Sequence, residues 1–247
     1  MITDADIPGL RRLWQEAFGD PDSFLDKFFS LGFSPDRCRC IREAGKIAAA
    51  LYWFDCVWKE KKVAYIYAVA TDAALRGRGL CRRLLEDTHR HLKCLGYAGA
   101  VLVPGEEGLF SLYEKFGYTS FCPGKKVTVF AERPINAEPL SPEEYHLLRE
   151  SFLGDNAILQ GRAVFDFLNA YGAFYKAENC IFCGSREENT FYFQEFLGNT
   201  AILPGVVAAL GCQKGVAILP GGGKDTAMYL PLDGCPGLPD YFAIPLN

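Results

Sequence analysis

The sequence is short of several things, and each shortage excludes a class of function. Only three of its 247 residues are histidine, His89, His91 and His146. No basic run marks a nucleic-acid tract: 26 Lys and Arg are interspersed among 30 Asp and Glu, for a net charge near −4. A mildly acidic chain of this kind is not a general DNA or RNA binder. No apolar run reaches the ~20 residues that a membrane span needs. The N-terminus, Met1-Ile2-Thr3-Asp4-Ala5-Asp6, is acidic and has no signal-peptide core. The expectation is a cytoplasmic protein that binds neither nucleic acid nor membrane. Cysteine is plentiful at ten, but metal-knuckle spacing is not. Cys38-x-Cys40 and Cys180-x-x-Cys183 are half-sites with no second tight pair or His cluster to complete them. The second lies in a β-prone run, where residues three apart face opposite ways. Reduced, buried thiols and no metal are expected.

What is present is apolar and aromatic. Hydrophobic residues make up 49% of the chain and aromatic ones 14%, which is a globular composition, long enough for one large domain or two small ones.

The most informative stretch runs from Val63 to Gly96. A β-prone apolar run, Val63 to Thr71, leads into the turn Arg76-Gly77-Arg78-Gly79-Leu80-Cys81. An amphipathic helix follows, with Leu80, Leu84, Leu85, Thr88, Leu92 and Leu95 at helical spacing and a stop at Gly96. Strand, glycine turn and helix N-terminus together make an anion site: free N–H groups converge, and the helix dipole adds about half a positive charge. Gly77 and Gly79 permit close backbone approach, and Arg76 and Arg78 add charges suited to phosphate oxygens. A glycine turn between strand and helix is also common in any α/β protein, so the turn alone does not decide between the two readings.

The spacing adds to this. Arg76-x-x-Gly79-x-Cys81 resembles the Arg/Gln-x-x-Gly-x-Gly/Ala pyrophosphate loop of the GNAT (GCN5-related) N-acetyltransferases, with Cys81 where Gly or Ala is usual. Leu109-Phe110-Ser111-Leu112-Tyr113-Glu114-Lys115-Phe116-Gly117-Tyr118 resembles that family's Tyr-Glu-Lys-x-Gly-Phe ending. The predicted order also fits: helices over 4–18 and 23–33, strands over 37–41, 47–57 and 63–71, the motif helix, a strand over 98–103, a helix over 109–116 and a strand over 127–130. The family's usual first strand is missing before Asp4. The resemblance implies an α/β (α+β) fold with a mixed, mostly antiparallel sheet flanked by helices.

A proline-rich segment, Glu132 to Pro142, reads as a linker between a GNAT domain over residues 1–133 and a second one over 134–247. Ser141-Pro142-Glu143-Glu144 starts a helix well, with Ser as N-cap, Pro next and acids in the first turn. The second half repeats the plan: helices over 145–152, 163–171 and 200–210, strands over 179–184, 190–197, 216–219, 227–230 and 241–245. It lacks the loop, offering only Phe196-Leu197-Gly198-Asn199-Thr200, and so resembles a degenerate GNAT-like half. Gly221-Gly222-Gly223-Lys224-Asp225 lacks the Gly-Lys-Ser/Thr ending of a phosphate loop and reads as a turn.

The resemblance implies a site. Arg76, Gly77, Arg78, Gly79, Leu80, Cys81 and Arg82 would cradle the coenzyme A pyrophosphate, and Val69, Ala70 and Thr71 would line the pantetheine arm. Acetyl-CoA would be the cosubstrate, a small-molecule primary amine the acceptor, and Tyr113 the acid that meets the leaving thiolate. A phenol is protonated at neutral pH and can donate. Tyr113 is also what an amphipathic helix would half-bury beside Leu109, Leu112 and Phe116. The general base is open. The strand entering the loop has Tyr65 and Tyr67 but no carboxylate, and Asp55, Glu106, Glu107 and the carboxylate of Asn247 are further candidates. That missing carboxylate motivates an alternative, a non-catalytic coenzyme A-binding regulatory protein. A third reading, aminoacyl transfer from tRNA, sits badly with the acidic charge. A homodimer is compatible with the sequence.

Overall fold

The computed structural model describes residues 2–233 and 237–243. In chain order its elements begin with α1 (Ile7–Phe18), α2 (Asp22–Lys27), β1 (Cys38–Glu43), β2 (Lys46–Trp58), β3 (Lys61–Thr71) and α3 (Leu80–Cys94). Next come β4 (Gly99–Leu102), α4 (Glu107–Glu114), β5 (Thr119–Phe130), β6 (Glu138–Leu140), α5 (Pro142–Phe152), β7 (Leu159–Gln160) and α6 (Arg162–Leu168). The chain ends with β8 (Ala173–Ala177), β9 (Cys180–Glu187), β10 (Thr190–Leu197), α7 (Leu203–Ala209), β11 (Lys214–Pro220) and β12 (Lys224–Pro231).

Two compact units result: Met1–Ser120 with Ala227–Leu238, and Phe121–Thr226 with Pro239–Asn247. The first crossing falls ahead of the expected 133/134 boundary, because Val127 and Val129 pack in the core of the second unit and pair with β11 there. The expected linker is docked within that unit. Glu132 N donates to Pro204 O at 3.2 Å, and Glu138–Leu140 pairs antiparallel with β8.

In the first unit the strand order is β1-β2-β3-β4-β12. The β1–β2 and β2–β3 hairpins turn on Ala44-Gly45 and Lys59-Glu60, all four at positive φ, as tight primed turns require. The partner of β4 is not the strand that follows α4. It is Ala227–Pro231, with Tyr229 opposite Val101 and Pro231 opposite Gly99. Gly99 is there for space: a Cβ at this position would come within 2.1 Å of the Tyr229 hydroxyl oxygen. The Tyr229 ring packs edge-on against Trp58 at 5.2 Å. On one face of this sheet α3 buries Leu80, Leu84, Leu85, Thr88 and Leu92, at the spacing the sequence predicts. Leu95, expected on the same face, is instead the C-cap and 48% exposed. Gly96 at φ 79° ends the helix as expected. The other face carries an aromatic cluster: Trp14, Phe28, Tyr52, Phe54, Tyr65 and Tyr67, with ring centroids 4.5 to 6.4 Å apart in the closest pairs.

The second unit has the order β5-β11-β10-β9-β8-β6. Its run α5, α6, β8, β9, β10, α7, β11 repeats α1, α2, β1, β2, β3, α3, β4. The likeness extends to register: β10–β11 and β3–β4 are parallel pairs of three residues each, Thr190–Tyr192 with Lys214–Val216 and Val63–Tyr65 with Gly99–Val101. Strand β8, not foreseen, is the counterpart of β1. Ser141 caps α5 with the expected capping box, its Oγ accepting from Glu144 N at 3.2 Å. Cys180 and Cys183 point apart on β9, the first into the Phe182–Phe196 core and the second toward Tyr145.

This unit buries one ion pair. The Arg149 guanidinium and Glu195 carboxylate are both fully covered, with Arg149 Nε donating to the two Glu195 oxygens at 2.7 and 3.0 Å. The hydroxyls of Tyr145 and Tyr241 donate to Glu195 at 2.8 and 3.0 Å. Burial alone would lower the Arg149 pKa, but the adjacent carboxylate raises it above its ordinary value. Residues 240–242 are anchored in the same unit: Asp240 N donates to Asn156 O, Ile158 N to Tyr241 O, and Phe242 N to Cys122 Sγ. The rest of the strand expected over 241–245, and Asn247, lie outside the described residues.

Candidate active site

The site is built where β3 stops being an ordinary strand. Its parallel ladder with β4 ends at Tyr65↔Val101, so the two strands separate beyond that pair. Its antiparallel ladder with β2 slips between Tyr52↔Tyr67 and Ala50↔Ala70. Ala68 and Val69 thus stand against one residue, Leu51, as a β-bulge. Ala68 sits at φ 49°, a conformation a residue with a Cβ adopts rarely. The bulge re-aims Val69, Ala70 and Thr71 at the end of β3 that leads into the loop. Val69 packs on the α3 side, while Ala68 and Ala70 face Leu10, Leu13 and Trp14 of α1.

From Thr71 the chain passes through a turn capped by Asp72, whose carboxylate accepts from Ala74 N at 3.0 Å. It then enters α3 through Gly77 and Gly79, at φ 77° and 76°. Gly79 is the N-cap of α3, and no side chain caps the helix. The first-turn N–H groups around Leu80, Cys81 and Arg82 are therefore open to an external acceptor. A Cβ at Gly77 or Gly79 would meet nothing within 4 Å, so these glycines serve backbone conformation and external approach and not internal packing. Arg76, Arg78, Arg82 and Arg83 are all exposed around this turn. Arg76 Nε donates to Thr71 O at 3.3 Å, Arg82 stacks over the Phe116 ring at 5.1 Å, and Arg83 pairs with Glu43 at 3.3 Å. Each holds its partner weakly at the surface. Arg78 has no ion pair among the described residues. A helix N-terminus with this charge suits a polyanion.

Tyr113 lies on α4 and is 7% exposed. Its ring packs against Phe116 and Tyr118, at 6.4 and 5.8 Å. Burial pushes its phenol well above the ordinary value, and the Cys81 thiol adds to the shift. Cys81 shares the same core margin, and its thiol is likewise raised by burial. The structure thus brings Tyr113 together with the first turn of α3. Among the described residues the Tyr113 hydroxyl makes no hydrogen bond.

The base candidates fare differently. Asp55 opposes Ala64 on β3 and accepts from Arg37 at 2.5 Å and from the Tyr97 hydroxyl. It lies seven residues from the Thr71 end of β3, about 23 Å away at strand rise. Tyr65 and Tyr67 are buried in the aromatic cluster beneath α1. Glu106 is the exposed N-cap of α4, and Glu107 is exposed in its first turn. Two features of the site escaped sequence reading. The bulge at Ala68 has no glycine to announce it. The His89–Tyr118 hydrogen bond was signalled only by a tyrosine where the family motif ends in phenylalanine.

In the second unit the corresponding turn, Gly198-Asn199, leads into a short helix of seven residues and carries no arginine. A Cβ at Gly198 would meet Asn179 O at 2.5 Å, so here the glycine serves internal packing.

A bulged strand that parts from its neighbour and feeds an uncapped, arginine-ringed helix N-terminus defines an acyltransferase scaffold of the GNAT type. Comparison with known proteins agrees. Residues 1–121 match the family model of the acetyltransferase (GNAT) domain, and the chain carries such a domain over those residues. A GCN5-related N-acetyltransferase from Anabaena variabilis is 15% identical, with a TM-score of 0.70 over 94% of this chain and 72% of its own. A probable N-acyltransferase from Enterococcus faecalis is 16% identical, with a TM-score of 0.69 over 94% and 72%. A putative acetyltransferase from Pyrococcus horikoshii is 16% identical, with a TM-score of 0.60 over 93% and 87%. These likenesses establish the fold across both units. No curated protein matches the chain in sequence. By class, then, residues 1–121 form an acetyltransferase (GNAT) domain. Among the described residues no helix is long and apolar enough to cross a membrane.

Proposed function

We propose that this protein transfers an acyl group, acetyl first among candidates, from coenzyme A to the primary amine of a small molecule. The observation that carries the reading is the continuity of the bulge at Ala68, the uncapped N-terminus of α3 and Tyr113 in one unit. The α3 first turn, with Arg76, Gly77, Arg78, Gly79, Leu80, Cys81 and Arg82, holds the pyrophosphate. Val69, Ala70 and Thr71 offer backbone groups to the pantetheine arm, since β4 does not pair with them. The amine, having lost its proton, attacks the thioester carbonyl. The C–S bond breaks as the tetrahedral adduct collapses, the departing sulfur takes a proton from the Tyr113 hydroxyl, and the proton that the adduct's nitrogen gives up passes to solvent, from which Tyr113 is reprotonated. Burial favours the neutral phenol, so Tyr113 stays protonated through the working pH range and serves as a donor.

The test is turnover of acetyl-CoA against a panel of small amines, with Tyr113→Phe alongside. Acetylated amine from the parent and little from the variant supports the reading. Coenzyme A binding with no amine acylated would overturn it in favour of a non-catalytic coenzyme A-binding role, which the absence of a carboxylate on β3 between Val63 and Thr71 favours.

A further inference from the structure

We propose that Tyr118 and His89 form a positioning pair for Tyr113, tying the segment that carries it to the helix that starts at the coenzyme loop. The inference rests on the proposed role of Tyr113 and adds two residues to it. Tyr118 follows Gly117, at φ 89°, which turns the chain out of α4. Its N–H donates to the Tyr113 carbonyl at 3.2 Å, and its ring meets that of Tyr113 at 5.8 Å and 68°, edge to face. Tyr118 is 3% exposed, yet it carries a hydroxyl. That hydroxyl stands 2.9 Å from His89 Nε2 on α3. The imidazole is held neutral by its burial, and the Nε2–hydroxyl contact is a hydrogen bond in either ring tautomer, since a phenol can both donate and accept.

Because the Tyr113 hydroxyl has no hydrogen-bond partner among the described residues, its place is set by what its ring touches: the Cys81 margin, Phe116 and Tyr118. Of these, only Tyr118 is itself pinned by a hydrogen bond to α3. A phenylalanine at 118 would fill nearly the same space and leave the ring free to shift. It would also leave a buried imidazole nitrogen without its partner. A donor must be held at hydrogen-bonding distance from the sulfur it serves, to within a few tenths of an ångström, so a small loss of constraint costs turnover more than binding.

The experiment is a double-mutant cycle on kcat and KM for acetyl-CoA, using the full chain with Tyr118→Phe, Tyr113→Phe and both together. Tyr118→Phe is expected to lower kcat by about three- to tenfold while KM changes less than about twofold. In the Tyr113→Phe background the same substitution is expected to change kcat by less than about 1.5-fold, since nothing is left to position. His89→Leu should reproduce Tyr118→Phe, and His89→Gln, which keeps a hydrogen-bonding group able to donate or accept, should restore much of kcat. His89→Leu also serves if Tyr118→Phe does not fold. An equal loss of kcat in both backgrounds, or no loss in either, overturns the positioning pair. The acid role of Tyr113 fails by a separate sign: Tyr113→Phe alone leaves kcat unchanged, and the pair then has no donor to position.

Discussion

Gly79 allows the proposed coenzyme loop to be tested against an internal control. Gly79 and Gly45 both sit at φ 76°, and a Cβ at either would meet nothing within 4 Å. Substituting either by alanine therefore costs the same kind of energy, the strain of a side chain in the left-handed region, on the order of 1–2 kcal/mol. Both variants should lose a few degrees in Tm and remain folded. They should part in binding. Gly45 lies in the β1–β2 hairpin turn, whereas Gly79 is the N-cap of α3, where the pyrophosphate would press against the backbone. Gly79→Asp adds a carboxylate there, repelling the phosphates and competing for the helix N–H groups. The loss expected is about 1–3 kcal/mol, or roughly five- to 150-fold in Kd for coenzyme A. Arg76→Ala in addition should deepen it. Gly45→Asp should leave Kd within about twofold. Isothermal titration of the folded proteins with coenzyme A reads the difference directly. If Gly79→Asp folds and binds with unchanged Kd, or if Gly45→Asp weakens binding as much, the loop is not the pyrophosphate site.

Other outcomes follow from the same geometry. Tyr113→Phe should lower kcat on the order of a hundredfold with KM for acetyl-CoA little changed, read by release of free thiol from acetyl-CoA. Glu195→Ala should destabilise the second unit by about 3–5 kcal/mol in urea unfolding, because it strands the buried Arg149 charge. Glu195→Leu combined with Arg149→Met should recover most of that loss, and a single substitution costing under about 1 kcal/mol would contradict a fully buried pair. For His89, burial moves the pKa from about 6.5 down to about 4 in the folded protein. The unfolded chain therefore takes up this proton first as pH falls. The contribution is fully present above pH 6.5, is lost progressively toward pH 4, and amounts to on the order of 2 kcal/mol once partial exposure is allowed for. His89→Gln should be the less acid-sensitive protein over that window, and identical pH profiles of Tm would argue against the buried imidazole.

Much of the candidate site's local geometry was legible because its signals are local. The loop glycines, the helical spacing of Leu80, Leu84, Leu85 and Leu92, and the stop at Gly96 each act within a few residues. So does the Ser141–Glu144 capping box. The second half's resemblance to the first was also legible, and the shared three-residue parallel pairs show how far it goes. The bulge was less accessible. Ala68 takes a left-handed conformation because β3 must satisfy β2 on one side while leaving β4 on the other, and no residue type in the strand marks that demand. Tyr65 and Tyr67 lie buried in the aromatic cluster, Tyr67 against Trp14, Phe28 and Phe54 and Tyr65 against Phe54. Asp55 is held by Arg37 and Tyr97 far from the loop.

The amino-acid sequence alone determined the local machinery of this protein: which segment turns on glycine, which helix starts at the loop, and which tyrosine follows at the motif's distance. These depend on backbone conformation and short-range hydrogen bonds. Tertiary structure decided the partners. Ala227–Pro231 pairs with β4 because the Tyr229 ring lies over Gly99 and packs edge-on against Trp58, while Val127 and Val129 take β5 into the other unit. Strand pairing between residues more than a hundred positions apart is settled by the fit of whole faces, and no short window of sequence contains it.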